Sequence, residues 1–194
     1  FKTAGEHSLI KVPFHIINEF TALTRHFPKM PFVPVNERVR EKRCEEILTI
    51  QAMGLKKRLA HTKSKTAVVG ISGGLDSTLA LLVTARAFDM LGRDKKDIIA
   101  VTMPCFGTTD RTYQNACEMA RKVGATLIEV PIGEAVNIHF RDIGQDPECH
   151  DVTYENSQAR ERTQVLMDIA NRTWGMVIGT GDMSELALGW ATYN

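Results

Sequence analysis

The stretch Gly70-Ile71-Ser72-Gly73-Gly74-Leu75-Asp76-Ser77 limits the possible folds more than any other part of this chain. It continues an apolar run, TAVVGI at 66–71, and leads into a segment with helical spacing. A strand must therefore hand over to a helix across a very short glycine loop. The adjacent glycines, Gly73 and Gly74, let the backbone turn tightly and present successive N–H groups on one side. The helix beginning near Ser77 adds its unpaired amides and the positive end of its dipole. Such a loop suits an anion, and Ser72 and Ser77 can add hydroxyl donors. Asp76 would repel a bare phosphate, so its expected task is to hold a magnesium ion that bridges to phosphate oxygens. The loop lacks the lysine of GxxxxGKS/T and the last glycine of GxGxxG. For the glycine pair taken alone, a plain turn with a helix cap is the simpler reading.

Beyond Thr66, short apolar runs alternate with helical segments. Residues 66–71, 98–103, 126–130 and 176–180 read as buried strands. Helices fit at 77–91, 112–123 and 154–173, with a shorter one near 133–140. Strands that are apolar throughout and separated by helices predict an α/β fold, a doubly wound parallel sheet with helices on both faces. Ligands of such folds bind beyond the carboxyl ends of the strands, where strand order reverses. Ahead of this region, the prolines of FPKMPFVP at 27–34 exclude a helix and predict an extended connector. Asn36 then caps a long helix from Glu37 to about His61, with Leu48, Ala52, Leu55 and Leu59 on one face.

Composition narrows the class further. A chain of 194 residues, 43% hydrophobic and 24% charged, suits one globular domain. Its formal net charge of +1, without a basic run, gives no footprint for nucleic acid. No uninterrupted apolar span suits a membrane, and no signal segment opens the chain. Cys44, Cys105, Cys117 and Cys149 form no Cys-x-x-Cys pair, a usage that fits a reduced, cytoplasmic protein. Cys149-His150-Asp151 has no partner pair to complete a metal site. The chain starts at Phe1 rather than Met and stops directly on a helical motif at Asn194. We therefore expect an internal piece of a longer polypeptide, truncated at its C-terminus.

Two further segments fall where the fold would place a site. Gly179-Thr180-Gly181-Asp182-Met183-Ser184-Glu185 follows the last strand. Thr180 could meet a phosphate, and Glu185 could join Asp76 in a magnesium site. Glu185 equally suits a helix-capping box with Asp182. Tyr154-Glu155-Asn156-Ser157-Gln158-Ala159-Arg160-Glu161-Arg162 opens a helix that carries Val165, Leu166, Ile169 and Ala170 to the core. Arg160 and Arg162 lie two apart and point in different directions, so one can face a cleft while the other pairs with a glutamate or meets solvent.

The SGGxDS pattern resembles the pyrophosphate loop of the ATP pyrophosphatases, which cut ATP between its α and β phosphates. SGGLDST at 72–78, VTMPCFGTT at 101–109, TYENSQARERTQVLMDIAN at 153–171 and GTGDMSELALGWATYN at 179–194 together resemble the NAD synthetases. The likeness is greatest to their glutamine-dependent, two-domain branch, and it covers about residues 27–194. It implies an adenine nucleotide alpha-hydrolase-like sheet and a ligase that amidates deamido-NAD through an adenylated intermediate, releasing AMP and pyrophosphate. ATP phosphates would be bound by Gly70, Ile71, Ser72, Gly73, Gly74, Leu75, Asp76 and Ser77, with Thr180 also on ATP. Magnesium would be held by Asp76 and Glu185. Deamido-NAD would meet Asn156, Arg160, Glu185, Trp190, Ala191, Thr192 and Tyr193.

The resemblance also implies partners. Ammonia would come from glutamine through a glutaminase domain of the same polypeptide, with residues 1–35 as the interdomain linker and 36–194 as the ATP-binding domain. Self-association into a homo-oligomer is implied as well. No catalytic side-chain nucleophile is expected, because adenylation is driven by positioning and electrostatics. GMP and asparagine synthetases share the pyrophosphate loop and are the rival enzymes; a nucleotide-binding module without activity is the rival of another class. YENSQARER and GTGDMSELALGW argue against the first, and the two candidate magnesium carboxylates against the second.

Overall fold

The computed structural model describes residues 10–15, 20, 22, 24–107 and 109–189. The chain divides into two compact units, Phe1–Arg40 and Glu41–Asn194. In the first, the described residues up to 36 form no helix or strand, and over 27–34 the connector prolines account for the lack of a helix. Helix α1, Glu37–Thr62, begins there, and the Asn36 side chain accepts the Val39 N–H at 3.1 Å.

The second unit holds a four-stranded parallel sheet. Its strands are β1 (Ala67–Gly70), β2 (Ile98–Thr102), β3 (Thr126–Glu129) and β4 (Met176–Ile178), in the order β3-β2-β1-β4. Helices α2 (Leu75–Leu91), α3 (Asp110–Val123), α4 (Gly133–Ile143) and α5 (Val152–Arg172) connect them, and α6 (Met183–Leu188) follows β4. The reversal of strand order falls between β1 and β4, which puts a topological switch point at the carboxyl end of β1.

Side chains alternate across a sheet, so a strand covered on both faces must be apolar throughout. Ala67 and Val69 of β1 join Ile98 and Ala100 of β2 in a core with Leu81 and Phe88 of α2, Ala116 of α3 and Leu59 of α1. Val68, Ile99 and Val101 point the other way, into a second core with Val136 and Phe140 of α4 and Ile169 and Ala170 of α5. Each fully buried valine or isoleucine contributes about 1.5–3 kcal/mol. Ala52 and Leu59 carry the buried face of α1, while Leu48 and Leu55 are only half-buried.

The expectation of four buried strands needs correction for two of them. β3 leaves Thr126 and Glu129 exposed, and β4 is half-buried throughout. They are the outer strands of the described sheet, so each has a paired neighbour on one side only. Every strand also ends sooner than its apolar run. The ladder itself continues one residue further, through Ile71 N–H to Val101 O at 2.8 Å and Val130 N–H to Thr102 O at 2.9 Å. α2 and α3 each start two residues before the expected position, because Gly74 and Thr109 act as their N-caps. A turn of 3-10 helix, Lys95–Asp97, precedes β2 and was not expected from the pattern.

Between α5 and β4 the chain turns on Gly175. A Cβ there would lie 2.1 Å from Thr66 Oγ1 and 3.0 Å from Thr66 O, so a larger residue would have to displace the Thr66 side chain, which bonds to Thr173. The short turn fixes the direction of α5, antiparallel to β4 and packed on β1 and β4. Phe140 anchors the face on which α5 sits; it is fully buried, with its ring 5.5 Å from that of Tyr154. Phe140→Ala should lower the unfolding free energy by about 3–5 kcal/mol in urea denaturation. A loss under about 1 kcal/mol would contradict this packing.

Candidate functional site

Beyond the carboxyl ends of β1 and β2 lies a cavity of about 510 Å³. Its floor is the loop that leaves β1: Gly70, Ile71, Ser72, Asp76 and Ser77 all line it. Gly73 makes the turn with φ +78°, a conformation L side chains rarely adopt. The same glycine presses on α3, since a Cβ at Gly73 would sit 2.1 Å from Thr112 O. Positive φ and close approach each demand glycine at this position.

The serines of the loop shape it from within. Ser77 is buried; its Oγ accepts the Ser72 N–H at 3.2 Å and donates to Gly74 O at 3.1 Å. Ser72 Oγ accepts the Gly74 N–H at 3.2 Å, leaving its own proton for a ligand or for Ser77. The Ser77 hydroxyl is thus engaged within the loop. The Leu75, Asp76 and Ser77 amides open the first turn of α2 with no helical carbonyl behind them. An anion at that helix end meets free donors and the favourable end of the dipole.

The walls come from three other elements. Met103 and Pro104 follow β2, Thr112 and Tyr113 belong to the first turn of α3, and Gln158, Arg162 and Leu166 form a stripe on α5. Those three are spaced i, i+4, i+8 and so share one helix face. Tyr113 donates its hydroxyl to Glu129 Oε2 at the end of β3. That bond, with a smaller contribution from Cys117, pushes the phenol up to about 12, so Tyr113 remains neutral at physiological pH. The charged residues lining the cavity are Asp76 and Arg162. Among the described residues neither has an ion pair or a hydrogen-bonding partner for its side chain, and both charges are available to a ligand.

The structure gathers some of the residues expected from sequence and leaves others apart. Thr180 lines the cavity together with the loop. Gly73, Gly74 and Leu75 build the loop without lining the cavity. Glu185 forms the capping box of α6: its Oε2 accepts the Asp182 N–H at 3.0 Å, and Asp182 Oδ1 accepts the Glu185 N–H at 2.8 Å. Asn156 is half-buried on α5 and Arg160 is exposed, both outside the cavity lining. Trp190, Ala191, Thr192 and Tyr193 lie outside the described residues. Gln158 was missed, although its four-residue spacing with Arg162 and Leu166 was readable in the sequence; of the two arginines left open for a cleft, Arg162 lines this cavity and Arg160 does not. Asp151 caps α5 by accepting from Thr153 and Tyr154 N–H, and the His150 ring stacks 4.3 Å from Tyr154. No group of three or more metal-ligating side chains occurs among the described residues.

A family model described as NAD synthase matches residues 47–194. The chain is 45% identical over 175 residues to a glutamine-dependent NAD(+) synthetase of Mycobacterium leprae, covering 88% of this chain and 26% of that protein. Against the enzyme of the same description from Mycobacterium tuberculosis H37Rv the identity is 43%, with the same coverage. The chain thus spans about a quarter of the length of these curated relatives. Among solved structures, a glutamine-dependent NAD+ synthetase from Acinetobacter baumannii in complex with ADP superposes with a TM-score of 0.70 at 30% identity, over 77% of this chain and 28% of that one. An NH3-dependent NAD synthetase from Campylobacter jejuni, in complex with nitrate, shares the fold with a TM-score of 0.67 at 24% identity, over 76% and 61% of the two chains.

Gly73→Ala tests the loop geometry directly. The new methyl must displace the first turn of α3 or force the loop out of its left-handed turn. We expect a stability loss of about 1–3 kcal/mol by thermal or urea unfolding. A variant as stable as the parent would show that the loop does not turn against Thr112.

Proposed function

The chain belongs to the NAD synthase family, and from that premise we propose that the whole protein amidates deamido-NAD to NAD with cleavage of ATP to AMP and pyrophosphate. One observation carries the reading: the Gly70–Ser77 loop and the first turn of α2, through Asp76 and Ser77, line a cavity that Thr180 also lines. This arrangement suits a polyphosphate better than a neutral ligand.

In the proposed reaction a carboxylate oxygen of the nicotinate ring attacks the α-phosphorus of ATP. The new P–O bond forms as the bond to the β-phosphate oxygen breaks, and pyrophosphate departs with the electron pair. Ammonia then attacks the acyl carbon, loses a proton and displaces AMP. The loop amides hold the phosphate chain and orient it, so little reorganisation is left for the transition state. The Ser72 hydroxyl and Thr180 can add donors at the rim. Tyr113, neutral and tied to Glu129, gives one wall a fixed orientation.

Asp76, the carboxylate that lines the cavity, suits magnesium. Asp76 presents an exposed, unpaired carboxylate to the cavity, and Glu185 keeps Oε1 outside its capping bond. Magnesium binds through one or two carboxylates plus phosphates and water, so no larger cluster is needed. When bound, it would neutralise charge on the departing pyrophosphate. Asp76 would hold it, with Glu185 as the second carboxylate.

Deamido-NAD is assigned to Asn156, Arg160, Glu185 and the Trp190–Tyr193 segment. The nitrogen source would be glutamine, as in the names of the Mycobacterium relatives, through a glutaminase domain of the same polypeptide. Residues 1–35 then serve as linker and 36–194 as the ATP-binding part; the boundary between the two compact units, after Arg40, falls within α1 and near that division. A homo-oligomer in the cytoplasm completes the proposal. No described helix is long and apolar enough to cross a membrane.

The test is an assay of the full-length protein for NAD, AMP and pyrophosphate, with ammonia as nitrogen donor. Deamido-NAD-dependent formation of all three is expected, falling by roughly 100-fold or more in Asp76→Asn at an unchanged melting temperature. AMP formation with xanthylate or aspartate instead would overturn the substrate, and absence of ATP cleavage with any acid would overturn the reaction.

A further inference from the structure

We propose that Arg162 is a binding residue for the pyrophosphate portion of ATP, gripping the β- and γ-phosphates from the side of the cavity opposite the glycine loop. The assignment rests on the reading of the cavity as an ATP site and adds to it a residue that the loop motif does not contain.

The direction of α5 puts Arg162 in place. The turn through Gly175 makes α5 run antiparallel to β4, so its amino-terminal half lies toward the carboxyl ends of the strands. Leu166 marks the level of the strand end, since a Cβ on Gly70 would meet Leu166 Cδ1 at 3.0 Å. Arg162 is one turn closer to the amino terminus on the same face, and therefore lies beyond the end of β1, level with the loop. Arg160, two residues away, faces elsewhere and lines a groove with Met167 and Asp168.

Its surroundings give Arg162 no other occupation. Arg162 is half-buried as a residue, and among the described residues its guanidinium forms neither an ion pair nor a hydrogen bond. Asp76 lines the same cavity but does not pair with it. An arginine that only solubilised the surface would extend into water rather than line a concave site beside a phosphate loop. The planar fork matches adjacent phosphate oxygens in a bidentate manner, which a lysine cannot reproduce. Most of the charge of ATP lies on its two terminal phosphates, and more gathers there as pyrophosphate leaves. A cation lining the same cavity as the loop would thus bind both ATP and the departing group.

Binding measurements on the full-length protein separate the possibilities, with ATP, pyrophosphate and AMP as probes in the presence of magnesium. In Arg162→Gln, affinity for ATP and for pyrophosphate should fall about 10- to 100-fold, while AMP affinity stays within about twofold. Arg162→Lys should recover part of the loss, since it restores charge without the fork. Equal weakening of AMP and ATP would overturn the assignment by showing a general disturbance of the site. Unchanged pyrophosphate binding in Arg162→Gln would overturn it while leaving the ATP site standing. If the unmodified protein bound neither ATP nor pyrophosphate, the reading of the cavity would fail and this assignment with it.

Discussion

The Ile71 amide makes the last ladder bond of β1, 2.8 Å to the Val101 carbonyl, and within a few residues the backbone must turn into α2. That reversal passes through Gly73, whose positive φ and contact with the Thr112 carbonyl leave no room for a side chain. The rest of the cavity depends on this turn. It brings the start of α2 under the cavity, seats α3 against the loop and places Asp76 in the open. Ser77 locks the result by bonding to both Ser72 and Gly74 from a buried position.

The sheet supplies the frame. Because β1 is covered on both faces, the end of the central strand cannot shift without disturbing two cores at once. α2 and α3 pack on one face and α4 and α5 on the other, so loop and α5 stripe reach the cavity from opposite sides of the sheet. One brings backbone amides and a carboxylate, the other a guanidinium. For a highly charged ligand with a divalent cation this is a complementary pairing, with the carboxylate suited to the metal and the guanidinium to phosphate oxygens.

Much of this was legible in the sequence. The strands β1 and β2 announced themselves as unbroken apolar runs, and SGGLDS fixed the strand–loop–helix handover. Element ends were less legible, because an apolar run does not reveal where the ladder gives way to a loop; Ile71 and Met103 are apolar yet already beyond their strands. Glu185 carried two readings that a local pattern could not separate; it forms the capping box with Asp182 through Oε2, and Oε1 stays outside that bond. The arginines show a different difficulty. Helical spacing placed Arg160 and Arg162 on different faces, but only the position of α5 over β1 reveals that Arg162 lines the same cavity as the loop. The Tyr113–Glu129 bond joins a helix to the following strand, and the Gly73–Thr112 contact joins elements far apart in the chain. Neither leaves a local pattern to read.

If the loop holds ATP for attack at its α-phosphorus, an oxygen of the acid substrate must end up on AMP. The most direct measurement places oxygen-18 in the nicotinate carboxylate of deamido-NAD and follows the label by mass spectrometry during turnover of the full-length protein. One labelled oxygen in the phosphate of AMP is the expected result, because the acyl carbon is released from AMP by breaking its C–O bond. Unlabelled AMP, or label in inorganic phosphate beside ADP, would mean attack elsewhere on ATP and would contradict the adenylation geometry proposed for this cavity.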